Sequence, residues 1–326
     1  MTVLVTGGAG YIGSHMVLGL RDAGIDVVVV DNLSTGYRFL VPEGVTFIEG
    51  DIGDTELIET ILRDHEIEAV VHFAGSIVVP ESVENPLLYY HNNTVNSRAL
   101  IEACVKMGVE KFIFSSTAAV YGNPEQSPVG ETATLAPISP YGTSKLMTEL
   151  MLRDVAAAHD LNYVALRYFN VAGADPAGRS GQSGPVVTHL IKVAAQAALG
   201  LRNGMQIYGK DYDTPDGTCI RDYIHISDLI SAHIAALAHL NAGGESSVFN
   251  CGYGHGSSVS EVIAAVERAS GKSIDAADAP RRAGDPPELV ANADKLRTQL
   301  GWTPRHDDLD EIVASALAWE DKLSKR

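Results

Sequence analysis

The order of segments predicts an α/β fold: a doubly wound, Rossmann-like parallel sheet followed by a smaller α/β C-terminal domain. Three observations carry this. Short β-branched runs alternate with helix-period segments through the first half of the chain. The first run opens straight into a glycine-rich turn and a helix, Gly7-Gly8-Ala9-Gly10-Tyr11-Ile12-Gly13. The second run ends in an acidic residue, Asp31. A length of 326 residues suits two packed domains, expected at 1–170 and 171–326, with a stretch around 221–240 returning to the first.

Taken in order, Thr2 to Thr6 is a strand, and the helix behind the glycines runs through Ser14, Met16, Leu18 and Leu20. In a strand-turn-helix setting, G-x-x-G-x-x-G lets a pyrophosphate approach bare backbone at a helix N-terminus. Asp31 stands 18 residues past Gly13, at the end of the run Asp26–Val30. A carboxylate there suits the two ribose hydroxyls of adenosine and disfavours a 2′-phosphate, so the expected cofactor is NAD. Val45 to Ile48 is a third strand. The Asp51 that follows reads equally as an adenine contact or as a solvated loop carboxylate. A helix over Thr55–His65 leads to the strand Ala69–Phe73 and the small-residue turn Ala74-Gly75.

Residues Leu87 to Met107 are expected as helix, with Leu100, Ile101, Ala103 and Cys104 forming an apolar stripe. Its asparagines, Asn92, Asn93 and Asn96, read either as caps or as anchors for the strand-end backbone. Lys111 to Thr117 is the fifth strand, ending in hydroxyls at the sheet's ligand edge. Thr117 is open to two readings, a bond to a reacting sugar oxygen or a turn bond. Tyr163 to Asn170 is a further strand. The Gly-, Pro- and Ser-rich stretch Val171–Pro185 is the best domain boundary. Beyond it the expected elements are a helix at His189–Leu199, a strand at Met205–Tyr208 and a polar loop at Asp211–Gly217. A helix at Ser227–Leu240, a strand at Val248–Gly252, a helix at Ser260–Ser270, a basic loop at Arg281–Pro287 and a C-terminal helix complete the chain.

The chemistry centres on Ser139-Pro140-Tyr141-Gly142-Thr143-Ser144-Lys145. A helix started by Pro140 sets Tyr141 and Lys145 on one face, one turn apart. A free phenol, with a pKa of about 10, is a poor base near neutrality. A neighbouring ammonium and a cationic nicotinamide both favour the phenolate. Such a tyrosine can take a proton from a sugar hydroxyl while hydride leaves the same carbon.

Charge and composition narrow the partners. Asp and Glu number 41 against 24 Lys and Arg, a net charge of −17. That surface repels nucleic acid and anionic membrane, so neither is an expected partner, and a diphosphate needs a local arginine site. The three cysteines form no C-x-x-C and leave one odd, so neither a disulfide framework nor a metal site is expected. Each reads as a small buried apolar residue. No signal-like opening is present, and no apolar run approaches the roughly 20 residues that span a bilayer. The expected compartment is the cytoplasm.

With these pieces in order the chain resembles the extended short-chain dehydrogenase/reductases and, more narrowly, the UDP-glucose 4-epimerase (UDP-galactose 4-epimerase) family. The resemblance covers nearly the whole chain. Its specific motifs are Asp31-Asn32-Leu33, His72-Phe73-Ala74-Gly75, Tyr168-Phe169-Asn170-Val171-Ala172-Gly173, Gly217 to His225, and Arg282-Ala283-Gly284-Asp285. It implies that NAD is held tightly and regenerated at each turnover. The expected NAD contacts are Gly7, Gly10, Tyr11, Ile12, Gly13, Asp31, Asn32, Asp51, Ile52, Phe73, Ala74, Gly75, Asn92, Tyr141, Lys145 and Tyr168. Tyr141 would take the 4-hydroxyl proton as C4 is oxidised, and the 4-keto sugar would turn over and be reduced on its other face. Lys145 would bond the nicotinamide ribose and lower the tyrosine's pKa, and Thr117 would bond the sugar oxygen. Asn170, His189, Leu190, Gln206, Tyr208, Arg221, Arg282, Asp285 and Leu289 would line the UDP-sugar site. The resemblance further implies a homodimer paired through helices 92–107 and 142–157.

Two departures stand out. Where many relatives carry a lysine after the Phe-Ala-Gly turn, this chain reads Ser76-Ile77-Val78-Val79, and where some carry Tyr it has Leu289. A leucine there leaves more room for a 2-acetamido group, so some activity on UDP-N-acetylglucosamine is expected. The competing readings are a UDP-glucuronate or UDP-pentose epimerase, a nucleotide-sugar 4,6-dehydratase and a non-catalytic NAD-binding protein. A dehydratase needs an acid-base pair after the strand-end Thr, and Ala118-Ala119 cannot transfer protons. A non-catalytic relative typically loses the Tyr or the Lys, and both are present.

Overall fold

Strand β1 (Thr2–Thr6) is buried from Val3 onward because β2 (Asp26–Asp31) and β4 (Ala69–His72) pair with it in parallel on either side. Strands covered on both faces need continuous apolar runs, which is why Val27 to Val30 shows no alternation. In the computed structural model, which describes residues 1–184, 188–282 and 284–326, seven parallel strands form one sheet. The others are β3 (Thr46–Glu49), β5 (Lys111–Thr117), β6 (Asn162–Tyr168) and, far along the chain, β11 (Ser247–Cys251). Their order is β11-β6-β5-β4-β1-β2-β3. It reverses between β1 and β4, and at such a switch point an open α/β sheet takes its ligand beyond the strands' carboxyl ends.

Helices cover both faces. On one, α1 (Tyr11–Asp22) packs with α8 (Ile226–Asn241) through Met16, Leu20, Ile230 and Leu237. On the other, α2 (Thr55–Asp64), α5 (Asn96–Met107) and α6 (Pro140–Ala158) bury Ile58, Leu62, Leu100 and Leu152. The short helices α3 (Val79–Glu84) and α4 (Pro86–Tyr89) precede α5.

The later chain is built from smaller pieces. Helices α7 (Leu190–Leu199), α9 (Val259–Ser270) and α11 (Leu309–Ser324) pack on one another. Strand β8 (Met205–Tyr208) pairs in parallel with β13 (Ala276–Ala279). Strand β9 (Ile220–Arg221) lies between β12 (Ser257–Ser258) and β14 (Glu288–Leu289), and β7 (Asn170–Ala172) pairs with β10 (Tyr223–His225). Helix α10 (Asp294–Leu300) precedes α11.

Several expectations change. The single strand over 163–170 ends at Tyr168, and Asn170 starts β7 in a different sheet. The helix over 87–107 is interrupted by a π-helical turn, Tyr90–Val95, which carries Asn92 and Asn93. The stripe of Leu100, Ile101, Ala103 and Cys104, invoked for pairing with a second subunit, faces the chain's own core. Pro185, in the boundary stretch, and Ala283, in the basic loop, lie outside the described residues. All three cysteines are free and buried. Among the described residues no helix is long and apolar enough to cross a membrane.

Candidate active site

The glycine turn leaves bare backbone. Gly7 has φ +69°, and a Cβ there would stand 2.6 Å from the Ala74 nitrogen. A Cβ on Gly13 would stand 2.1 Å from the Gly7 carbonyl oxygen. Gly10 caps α1, which Tyr11 and Ile12 open, and the Tyr11 hydroxyl donates to the Gly173 carbonyl at 2.7 Å. Asp31 is buried at the end of β2. Its carboxylate accepts from the amides of Ala9 (2.9 Å) and Leu33 (2.8 Å). Burial pushes its pKa up, and those two bonds oppose the shift. Asp51 is no loose loop carboxylate: it accepts from Asn32 Nδ2 (2.9 Å), the Gly53 amide (2.8 Å) and Asn96 Nδ2 (3.0 Å), beside buried Ile52. Amides free of side-chain cover at a helix start, with a carboxylate at the next strand end, are the donor set a dinucleotide requires. The residues present fit NAD.

The acid-base group sits at the neighbouring strand ends. Ser139 caps α6, its Oγ accepting from the Gly142 amide at 3.2 Å, and Pro140 supplies a preset φ at the first helical position. This fixes Tyr141 in the first turn and Lys145 one turn later. The Lys145 ammonium is buried, donates to the Ser115 carbonyl at 2.9 Å and lies 5.0 Å above the Phe114 ring. It would be 3.7 Å from a Cβ on Gly75, so it borders the turn that Phe73, Ala74 and Gly75 make after β4. Burial lowers its pKa to about 8. Burial also pushes the Tyr141 phenol up, and a hydrogen bond with Thr117 pulls it back down. The depression expected from Lys145 is not what this geometry gives, because the ammonium is turned onto Ser115 and desolvation dominates. Thr117 Oγ1 accepts from the Ala119 amide at 3.1 Å, so the turn bond is real and its hydroxyl hydrogen stays available.

Of the groups that hold this end together, sequence reasoning singled out the asparagines and Tyr168 but missed Ser115. Ser115 receives Lys145 on its carbonyl, and its side chain hydrogen-bonds the Tyr168 hydroxyl. The π-helical turn aims Asn92 Nδ2 at Ser76 Oγ (2.8 Å). Asn93 clamps the Ser76 amide (2.7 Å) and carbonyl (2.9 Å) and also donates to Ser144 Oγ (3.0 Å). Asn93 therefore anchors the backbone after β4, whereas Asn92 bonds the Ser76 side chain and Asn96 the Asp51 carboxylate. Ser115, in the hydroxyl run before Thr117, carried the one usable signal.

Across the cleft, Arg221 on β9 donates to its neighbour's carbonyl, Ile220 O, at 2.8 Å and lies 3.5 Å from Asp285. Arg282 stacks over the Tyr208 ring at 3.9 Å, and the Tyr208 hydroxyl donates to Gln206 at 2.7 Å. His189 caps α7, which Leu190 opens, and bonds the Gln182 side chain; burial lowers its pKa. Asn170 Nδ2 donates to the Asp222 carbonyl at 3.3 Å. Leu289 pairs with Arg221 in register and packs on the cluster of Ala118, Val120 and Tyr121. The leucine thereby joins the arginine side of the cleft to the strand end that carries Thr117.

A nucleotide fingerprint, a Tyr-Lys pair one helical turn apart and two arginines, Arg221 and Arg282, thus belong to one chain whose residues 3–252 match the model of the NAD dependent epimerase/dehydratase family. The chain belongs to that family. A UDP-glucose 4-epimerase of Azospirillum brasilense is 62% identical over 323 residues, covering 99% of this chain and 93% of that protein. The crystal structure of UDP-glucose 4-epimerase from Brucella ovis in complex with NAD superposes with a TM-score of 0.95 at 45% identity, covering 98% of each chain. The UDP-Glc/GlcNAc 4-epimerase of Campylobacter jejuni is 50% identical with a TM-score of 0.87, covering 98% of this chain and 99% of that one. Relatives so similar over their full lengths are related to this epimerase/dehydratase chain from end to end.

Proposed function

We propose that this protein is a UDP-glucose 4-epimerase, interconverting UDP-galactose and UDP-glucose through a 4-keto sugar. The observation that carries the chemistry is the half-buried Tyr141 in the first turn of α6, one helical turn from a buried lysine that borders the Phe73–Gly75 turn, with the Thr117 hydroxyl favouring its ionised form. Tyr141 takes the proton of the 4-hydroxyl and later returns it, and Thr117 donates to the same sugar oxygen. NAD, when bound beside Lys145, would supply reversible hydride chemistry at C4. Lys145 bonds the nicotinamide ribose, with Asn92 and Tyr168 completing that side. Arg221 and Arg282 neutralise the diphosphate that the acidic surface would otherwise repel. Asn170, His189, Leu190, Gln206 and Tyr208 form the uridine side, and Asp285 orients Arg221. Ala118-Ala119 leave no acid-base pair for dehydration. The reading extends to a cytoplasmic homodimer acting in galactose metabolism.

The test is turnover of UDP-galactose by purified protein with no NAD added. Conversion to UDP-glucose is expected. Turnover only with added NAD, with NADH released, would make it a dehydrogenase instead. Leu289 supports activity on UDP-N-acetylglucosamine alongside the plain hexose. A methylene-sized change in such a pocket shifts kcat/KM by about 10–200-fold, so Leu289→Tyr should lower the acetamido sugar's value selectively.

A further inference from the structure

Glu149 and Arg167 form an ion pair that the chemistry above does not use. Their side chains are 5% and 4% exposed, with Arg167 Nη2 2.5 Å from Glu149 Oε2 and its Nε 2.9 Å from Oε1. Withdrawing two such charges from water is costly, and apolar residues of similar volume often hold a core equally well. Stability alone is a weak reason for the pair. Its surroundings supply a better one. Glu149 lies one helical turn beyond Lys145 on α6 and accepts from the Ser116 hydroxyl. Ser116 stands between Ser115, whose carbonyl holds Lys145, and Thr117. Arg167 immediately precedes Tyr168, which is bonded to Ser115. Arg167 Nη1 also donates to the Tyr121 hydroxyl at 3.0 Å, and Tyr121 donates to Asn250 at 2.6 Å. Asn250 in turn donates to the Val129 carbonyl at 2.8 Å, and the Val129 amide bonds Val290 O, next to Leu289.

We infer that Glu149 and Arg167 are a positioning pair for the acid-base centre: they pin Ser116 against α6 and so fix the Thr117 hydroxyl against the Tyr141 phenol. Ser116 directly precedes Thr117, so holding Ser116 on α6 fixes the strand end whose next residues, Ala118–Val120, contact the same helix. The inference rests on the roles given above to Tyr141 and Thr117.

The NAD-loaded protein carrying Glu149→Leu with Arg167→Met removes both charges together and leaves neither unpaired. Expected are a near wild-type melting temperature, NAD content and KM for UDP-galactose, with kcat lower by about 10²-fold, the size of effect a misplacement of about 1 Å produces. Glu149→Gln with Arg167→Met keeps an acceptor for Ser116, leaves no charge unpaired and should retain most of the wild-type kcat; Ser116→Ala cuts the tether alone, should lower kcat and stands in if the first double variant does not fold. A second readout needs no substrate. The ultraviolet titration of Tyr141, taken as a difference from Tyr141→Phe, should move to higher pH in the first double variant as the Thr117 bond is lost. Unchanged kcat with an unmoved titration overturns the inference. So does a kcat loss matched by equal losses of NAD content and melting temperature, which marks a structural role only. Wild-type protein inert toward UDP-galactose would refute the epimerase reading, and the titration would still decide the positioning.

Discussion

Desolvation raises the pKa of the half-buried Tyr141 phenol, so its usefulness depends on the groups that share the charge. Thr117 is the one that touches it. Tyr141→Phe deletes the acid-base oxygen and leaves the glycine turn and the arginines alone. The expected result is a fall in kcat of about 10²–10⁴-fold, with NAD content unchanged on release and assay. Lys145 gives a pH signature. Burial lowers its pKa from 10.5 to about 8. Below that value the lysine is charged both folded and unfolded, and the fold carries the full burial cost. As pH rises past it, the folded state loses the proton first, the unfolded state binds more protons, and stability rises. The shift corresponds to about 3 kcal/mol over the whole window. In nucleotide-free protein, wild type should therefore gain stability relative to Lys145→Met between about pH 8 and about pH 10.5; a flat difference would remove the depressed lysine. The spacing of Tyr141 and Lys145 was legible because one helical turn is a fixed distance. The direction of the ammonium was not, because its acceptor is a backbone carbonyl 30 residues away in sequence.

At the scale of elements, what was legible followed from periodicity. β5 falls at Lys111–Thr117 as expected, since a β-branched and aromatic run ending in hydroxyls has no helical alternative. β9, β12 and β14 are two residues each, too short to show any period, and exist only because segments distant in sequence meet. The π-helical turn at Tyr90–Val95 was equally silent, since apolar spacing continues on both sides of it. Asn93 explains it: the turn lets that side chain reach Ser76 and Ser144 at once. The glycine turn was the most legible element and is the least tolerant. In Gly13→Ala the new methyl meets backbone at 2.1 Å, with no side chain to give way. Overpacking of this kind costs about 1–3 kcal/mol, and the shift falls on the nucleotide site itself. Purified Gly13→Ala should melt lower and carry much less NAD than wild type. Full NAD content would mean that the turn relaxes without touching the site.

For the whole molecule, most of the exposed large apolar side chains fall in two segments. Ile77, Val79, Val83, Leu87, Leu88 and Val95 lie along the segment before α5, and Met147 and Leu150 lie on α6. α3, α4 and the π-helical turn all contact α6, so these residues form a common face. Leu87 is 78% and Val83 62% exposed, unusual for residues of their size so close to one another. This face overlaps the expected helices 92–107 and 142–157 at Val95, Met147 and Leu150. The α5 stripe is buried inside the chain, because a helix on an open sheet must first cover that sheet. If the proposed homodimer forms through this face, residues 77–95 and the outer side of α6 would make the contact. Light scattering on wild type should give twice the chain mass of 34.6 kDa. Leu87→Glu places a charge at the most exposed point of the face while touching no core residue. It should shift the mass toward the monomer at unchanged secondary structure, because a desolvated unpaired charge in an interface is strongly unfavourable. Ile138 is as exposed as these residues, at 58%, but lies outside both segments. Ile138→Glu is the control and should leave the dimer intact. A monomeric wild type, or a Leu87→Glu variant that still dimerises, would move the interface elsewhere.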